Sequence, residues 1–227
     1  MLIALPIFSF LIGSIPFGVI VCRAKGVDIF SVGSGNIGAT NVVRAVGPVL
    51  GGLVLVLDVA KGYVPGLVAH LAYHEDMFGL QGQASAFVFG CIAILGHMFS
   101  PWIKFRGGKG IATGLGAMLS SIPITGLLAL LVMVVVTSIT RFVSLGSIIA
   151  AISTIPISIF IAKDSPQVLP ILILFNVVVI YKHRSNIARI MNGTENKFRF
   201  KKNDDPEPKN DELDSNNEEQ KDDDIRP

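Results

Sequence analysis

Charge is scarce in this chain. Only 16% of its 227 residues are Asp, Glu, Lys or Arg, whereas 51% are hydrophobic. A soluble domain carries about a quarter charged residues, so this composition excludes an ordinary water-soluble fold and a nucleic-acid-binding surface. Cysteine is nearly absent: Cys22 and Cys91 both fall in apolar runs, which excludes a disulfide framework and a cysteine-based metal site. No small-residue cleavage site follows the first apolar run, and more such runs come after it, so a secretory leader is excluded too. No internal repeat of the kind common in transporters is visible.

What remains is mostly apolar sequence in lengths that suit a bilayer, whose core takes about 20 residues of helix. The candidate spans are 2–22, 50–73, 84–100, 111–122, 124–140, 143–162 and 167–181, of which 111–122 is short. The expected fold is an all-α integral membrane protein of seven transmembrane helices. Residues 1–200 carry fourteen Lys and Arg against six Asp and Glu, a net +8, whereas 201–227 carry five against eleven, a net −6. The chain therefore divides into a membrane domain over 1–200 and a disordered acidic tail over 201–227, polar and almost without aromatics.

Positive charge sets the orientation. With the N-terminus outside, one cytoplasmic loop holds Arg23, Lys25 and Arg44, the next Lys104, Arg106 and Lys109, and a third Arg141. The C-terminal flank adds Lys182, Arg184 and Arg189, while the opposite face shows only His70, His74, Glu75, Asp76, Lys163 and Asp164. An odd number of spans leaves the C-terminus in the cytoplasm.

Three polar segments stand out, all on that face. The first, Gly33-Ser34-Gly35-Asn36-Ile37-Gly38-Ala39-Thr40-Asn41 with Arg44, combines glycines that bring backbone N–H groups near a ligand with neutral donors and a guanidinium fork suited to phosphate. Its G-x-G-x-x-G spacing would signal a dinucleotide fold only with a strand before it; here a membrane span precedes it. The second follows His97: Pro101-Trp102-Ile103-Lys104-Phe105-Arg106-Gly107-Gly108-Lys109-Gly110. Trp102 and Phe105 suit the interfacial belt, with Lys104 and Arg106 reaching headgroups, and Gly107-Gly108-Lys109-Gly110 forms an anion-binding turn. It is not a Walker A loop, because Gly110 stands where Ser or Thr should follow the lysine. The third runs from Lys182 to Glu195, with His183, Asn186 and Arg189 on one helical stripe. Between spans one and three, Asp58 and Lys61 share a helix face at membrane depth, where ionisable residues pair or line a cavity.

Together these segments resemble the bacterial acyl-phosphate:glycerol-3-phosphate acyltransferase (PlsY) family: Gly33 through Arg44, Leu57-Asp58-Val59-Ala60-Lys61-Gly62, Gly96-His97 with Phe105 to Thr113, and Lys182 to Glu195. The likeness covers residues 1–198 in order. It implies seven spans in the bacterial cytoplasmic (inner) membrane, an external N-terminus, a cytoplasmic active site, and transfer of a fatty acyl group from acyl phosphate to the 1-hydroxyl of glycerol 3-phosphate. The products would be lysophosphatidate and phosphate. By position it implies catalytic roles for Ser34, Lys109, His183 and Asn186. Substrate contacts are implied for Asn36, Thr40, Asn41, Arg44, Asp58, Lys61, His97, Gly107, Gly108, Gly110, Arg189 and Glu195. Ser100-Pro101 departs from the family, which usually has proline directly after the Phe99 position.

An acyl phosphate is already activated, so positioning two anions among cations supplies much of the catalysis, and donors can stabilise charge developing on the acyl oxygen. No metal or cofactor is expected, no nucleic acid is a partner, and a monomer is expected. His97 is followed four residues on by Pro101, not by the acid of a His-x4-Asp acyltransferase. A substrate phosphate oxygen is the preferred proton acceptor, with His183 the alternative. Competing readings are a transporter of organic phosphates and an acyltransferase that uses acyl-CoA or acyl carrier protein.

Overall fold

The computed structural model describes residues 4–72, 79–80 and 82–198, which form an all-helical bundle. His74, Glu75 and Asp76, and the segment read as an acidic tail over 201–227, lie outside the described residues.

The first span is broken. Helices α1 (Ala4–Ser14) and α2 (Phe17–Ala24) are separated at Ile15-Pro16, because proline has no N–H to continue the ladder. The freed carbonyls find partners elsewhere: Lys61 Nζ donates to Ile15 O at 2.9 Å and Ser100 Oγ to Ser14 O at 2.6 Å. The serine that departs from the family pattern thus fastens the turn after the third span to the break in the first.

A short helix, α3 (Ala39–Val46), follows the glycine-rich loop, and α4 (Pro48–Ala72) returns through the bundle. The helices after it are α5 (Gly82–Met98), α6 (Ile111–Ser121), α7 (Pro123–Thr140), α8 (Val143–Pro156), α9 (Val168–Lys182) and α10 (Arg184–Met191). Small residues let the central helices touch backbone to backbone, as membrane bundles do. A Cβ on Gly62 of α4 would stand 1.9 Å from Thr113 O of α6, and one on Gly116 of α6 would stand 1.9 Å from Val59 O. The main core joins Phe87, Ile94, Met98, Ala117, Leu172 and Val179, and a second cluster of Val19, Cys22, Ile29, Ile37, Val42 and Val54 underlies the glycine-rich loop. Cys22 is fully buried there, a packing residue as its surroundings predict.

Five described helical stretches are long and apolar enough to cross a membrane: Ala4–Ala24, Pro48–Leu71, Gly82–Ile103, Pro123–Thr140 and Val143–Ala162. Helices α9 and α10 make a sixth if counted as one span bent by 54°. The eleven residues of α6 rise only about 16 Å, roughly half the ~30 Å bilayer core. That helix enters the bundle beside α4 rather than crossing unaided.

Candidate active site

The glycine-rich loop is held by the side chain of Asn41. Its Nδ2 donates to Val32 O at 2.9 Å and to Ile29 O at 3.3 Å, while its Oδ1 accepts from Ser34 N at 3.1 Å. Gly33 takes a left-handed φ of 55°, where a Cβ would meet Asn41 Oδ1 at 2.5 Å. The resemblance implies a substrate contact for Asn41; the structure places it on the cavity lining and also makes it the staple that shapes the loop. Ser34, Asn36 and Thr40 then line a cavity, with Arg44 one turn beyond Thr40 on α3.

His97, buried at the end of α5, supports the second wall. Gly108 N donates to His97 O at 3.1 Å. A Cβ on Gly107 would stand 2.0 Å from His97 O, and one on Gly108 would stand 2.1 Å from His97 Nε2. Neither position has room for a side chain. The turn is pressed onto the histidine so that Lys109 projects into the cavity and Gly110, at φ 82°, starts α6. Asp58 also lines the cavity, 2.7 Å from Lys61 Nζ and 3.9 Å from His97 Nδ1. Lys61 is 3% exposed, donates to Ile15 O and is not part of the cavity lining. The pair therefore braces the break in the first span, as ionisable residues that pair at membrane depth can.

The third wall is a chain of hydrogen bonds. Lys109 Nζ donates to Asn186 Oδ1. Asn186 Nδ2 donates to Glu195 Oε1 at 2.7 Å, and Arg189 Nε donates to Glu195 Oε2 at 2.7 Å. Ser144 Oγ, from α8, donates to Glu195 Oε1 at 2.7 Å. His183 Nδ1 donates to Val179 O at 2.8 Å, which fixes the neutral tautomer and leaves Nε2 with a free lone pair.

Electrostatics follow from this packing. Burial lowers the Lys109 pKa to about 8, against the attraction of Glu195 and with the repulsion of Arg189 and Arg44. Burial likewise lowers His183 to about 4, opposed by its bond to Val179 O and aided by Lys109, so the imidazole is neutral at pH 7. Burial pushes the Glu195 carboxyl up, but hydrogen bonds from Ser144, Asn186 and Arg189 outweigh it, and the net direction is down.

The three walls enclose one end of a cavity of about 640 Å³. Of the site residues the sequence marks, Lys61, Gly107, Gly108 and Arg189 lie off its lining and support residues that do line it; the others are brought together. The remainder of the cavity is an apolar slot between α4, α6, α7, α8 and α9, with Leu55, Met118, Leu130, Met133, Ala150 and Phe175 along it. None of the polar segments singled out in the sequence lies in residues 124–181, yet α7 and α8 form the slot and Ser144 joins the Glu195 network. One serine in an apolar run gave no signal of that role.

The arrangement has the chemistry to hold anionic groups beside Lys109 and Arg44, with an aliphatic chain beneath them. Among the described residues no group of three His, Cys, Asp or Glu side chains is placed to hold a metal ion.

Comparison with known proteins gives a consistent result. The family profile described as glycerol-3-phosphate acyltransferase matches residues 3–193. A glycerol-3-phosphate acyltransferase of Aquifex aeolicus (strain VF5) is 42% identical over 194 residues, 86% of this chain and 97% of its own length. One from Trichlorobacter lovleyi is 44% identical over 192 residues, 84% and 94%. The fold is similar to the crystal structure of PlsY (YgiH), an integral membrane glycerol 3-phosphate acyltransferase, in its glycerol 3-phosphate form. The TM-score is 0.80 at 40% identity, covering 87% of this chain and 96% of that one. The lysophosphatidic acid form of the same protein matches with a TM-score of 0.77 at 40% identity, covering 87% and 95%.

Proposed function

Since the chain belongs to the glycerol-3-phosphate acyltransferase family, we propose that its cavity is where a fatty acyl group passes from acyl phosphate to the 1-hydroxyl of glycerol 3-phosphate. Lysophosphatidate and inorganic phosphate are the products. The observation that carries this reading is the juxtaposition in one cavity of the Lys109–Asn186–Glu195–Arg189 network with an apolar slot. A phosphorylated, water-soluble acceptor suits the polar end, and a fatty chain suits the slot. The relatives solved with glycerol 3-phosphate and with lysophosphatidic acid support the same pairing of polar head and apolar tail.

In this reading Arg44 and Lys109 offset the repulsion between the two phosphates, and Ser34, Thr40 and the Gly107-Gly108 turn orient the acyl phosphate. The acceptor oxygen bonds to the acyl carbon while the carbon–oxygen bond to phosphate breaks, and phosphate leaves with the electron pair. A phosphate oxygen takes the hydroxyl proton. His183, lowered to about 4, is a weaker base than a phosphate monoester with a second pKa of about 6. Its free Nε2 serves to orient the acceptor.

The finer architecture belongs to the same proposal. Seven crossings result if α6 and α9 both span with help from neighbours. The gathering of Lys and Arg on the side of the cavity mouth supports an N-terminus outside and a site at the cytoplasmic face of the inner membrane. We take the active unit to be a monomer, since all three walls come from one chain.

The test is purified protein in lipid given acyl phosphate and glycerol 3-phosphate, which should release phosphate as lysophosphatidate forms. If acyl-CoA supports the reaction and acyl phosphate does not, the donor is wrong.

A further inference from the structure

A second recess, of about 520 Å³, opens where the first and third spans end, and it shares no lining residue with the catalytic cavity. Arg23 from the end of α2 and Lys104 and Arg106 from the turn after α5 line it, with Trp102 and Phe30. Asp28 is its one carboxylate, and one Asp28 oxygen already accepts from Phe30 N at 3.1 Å. Among the described residues the Lys and Arg salt bridges are Lys61–Asp58 and Arg189–Glu195, so none of the three cations in the recess has a carboxylate partner. The carbonyls at the end of α2 do not cancel them. Cys22 O accepts from Lys25 N and Val27 N, and Arg23 O accepts from Gly26 N.

The turn that carries these groups is built into an uncommon shape. Lys104 and Phe105 are consecutive non-glycine residues at φ 54° and 60°, a conformation that persists only when its surroundings hold it. Ser100 O accepts from Phe105 N at 2.9 Å, and the Arg106 guanidinium lies 4.9 Å from the Phe30 ring centre. Trp102 Nε1 donates to Ser14 Oγ at 2.8 Å, which fixes the indole at the rim. Trp102 and Phe105 are nonetheless each 64% exposed, and Ile20, one turn before Arg23 on α2, is 51% exposed. Cations without carboxylate partners sit level with the ends of the spans, and bare aromatic and aliphatic surface lies beside them. A soluble anion would use the cations alone. A lipid uses both, because basic pockets between helices at a membrane surface take phosphorylated headgroups and interfacial aromatics pack on the first acyl carbons.

We propose that this recess binds the phosphate headgroup of an anionic phospholipid, with Arg23, Lys104 and Arg106 as its ligands and Trp102 and Phe105 against the upper acyl chain. The turn that bears it continues directly into Gly107-Gly108-Lys109, so the lipid sits on the same membrane face as the catalytic cavity mouth.

Trp102 is the only tryptophan in the chain, which makes it a reporter on the rim of the site. The full chain is reconstituted in phosphatidylcholine vesicles with a minor fraction of brominated phosphatidylglycerol or brominated phosphatidylcholine, and bromine quenching of Trp102 is read. The anionic lipid should quench several-fold more per mole fraction, and the excess should vanish in R23Q/K104Q/R106Q. That variant should keep its acyl transfer and its quenching in fully brominated phosphatidylcholine, which shows that it is folded and inserted. Added inorganic phosphate should leave the wild-type excess intact. Equal quenching by the two lipids, an excess that survives the triple substitution, or an excess abolished by free phosphate would each overturn the assignment, the last in favour of a soluble-anion site.

Discussion

Gly108 lies against His97 so closely that a methyl group in place of its hydrogen would stand 2.1 Å from Nε2 of the imidazole. The turn bearing Lys109 is thus positioned by the histidine beneath it. Gly108→Ala should lower kcat by at least about tenfold, because an ångström of misplacement in a positioned group is costly. Combining it with His97→Ala should cost less than the two single losses together, since both act on one contact. Strict additivity in a double-mutant cycle would show that the contact does not position the lysine.

In the proposed reading Lys109 holds a substrate phosphate as its ammonium form, and burial brings its pKa to about 8. The acyl-phosphate kcat/KM, which reports the free enzyme, should therefore fall as pH rises through about 8. Lys109→Arg keeps its charge throughout that range, so its residual activity should lack this alkaline limb. An identical limb in the variant would assign the titration to another group.

Glu195 joins Asn186, Arg189 and Ser144 in one hydrogen-bonded unit. Glu195→Gln removes the charge from the bond to Arg189. A charge-assisted hydrogen bond is worth about 1.5–3 kcal/mol, so the glycerol 3-phosphate KM should rise roughly ten- to a hundredfold. Ser144→Ala removes one hydroxyl donor and should cost no more than about tenfold. Acid acts in the same direction as Glu195→Gln. The carboxyl pKa is lowered, so its contribution persists at neutral pH and is lost only as pH falls through that depressed value.

His183 separates two accounts of the proton. If a substrate phosphate accepts it, His183→Gln should raise the KM for glycerol 3-phosphate with kcat within a few fold. A collapse of kcat at unchanged KM would make His183 the base.

Much of the site was legible in the sequence because its residue types are costly at a membrane boundary. Glycines beside Lys109, a His/Asn/Arg stripe and paired charges at Asp58 and Lys61 have few uses in apolar surroundings. The length of the apolar runs marked the spans. Three features were not legible. Asn41 and Lys61 carry the right chemistry for ligands but are consumed by backbone carbonyls at Val32, Ile29 and Ile15, and only tertiary placement distinguishes a ligand from a staple. The break at Pro16 in the first span was hidden, because a proline is tolerated within an apolar run. The slot formed by α7 and α8 uses Leu130, Met133 and Ala150, side chains that would equally face lipid.

The central claim is that one cavity holds the phosphorylated head at Lys109 and Arg44 and the fatty chain in the slot between α4, α6, α7, α8 and α9. A crystal structure with a non-hydrolysable acyl phosphonate and glycerol 3-phosphate tests it most directly. The phosphonate should lie within hydrogen-bonding distance of Lys109 Nζ, with its chain along Met133 and Ala150 and the acceptor's 1-hydroxyl facing the acyl carbon. A phosphonate bound away from Lys109, or a chain lying outside the slot on the lipid-facing surface, would contradict it.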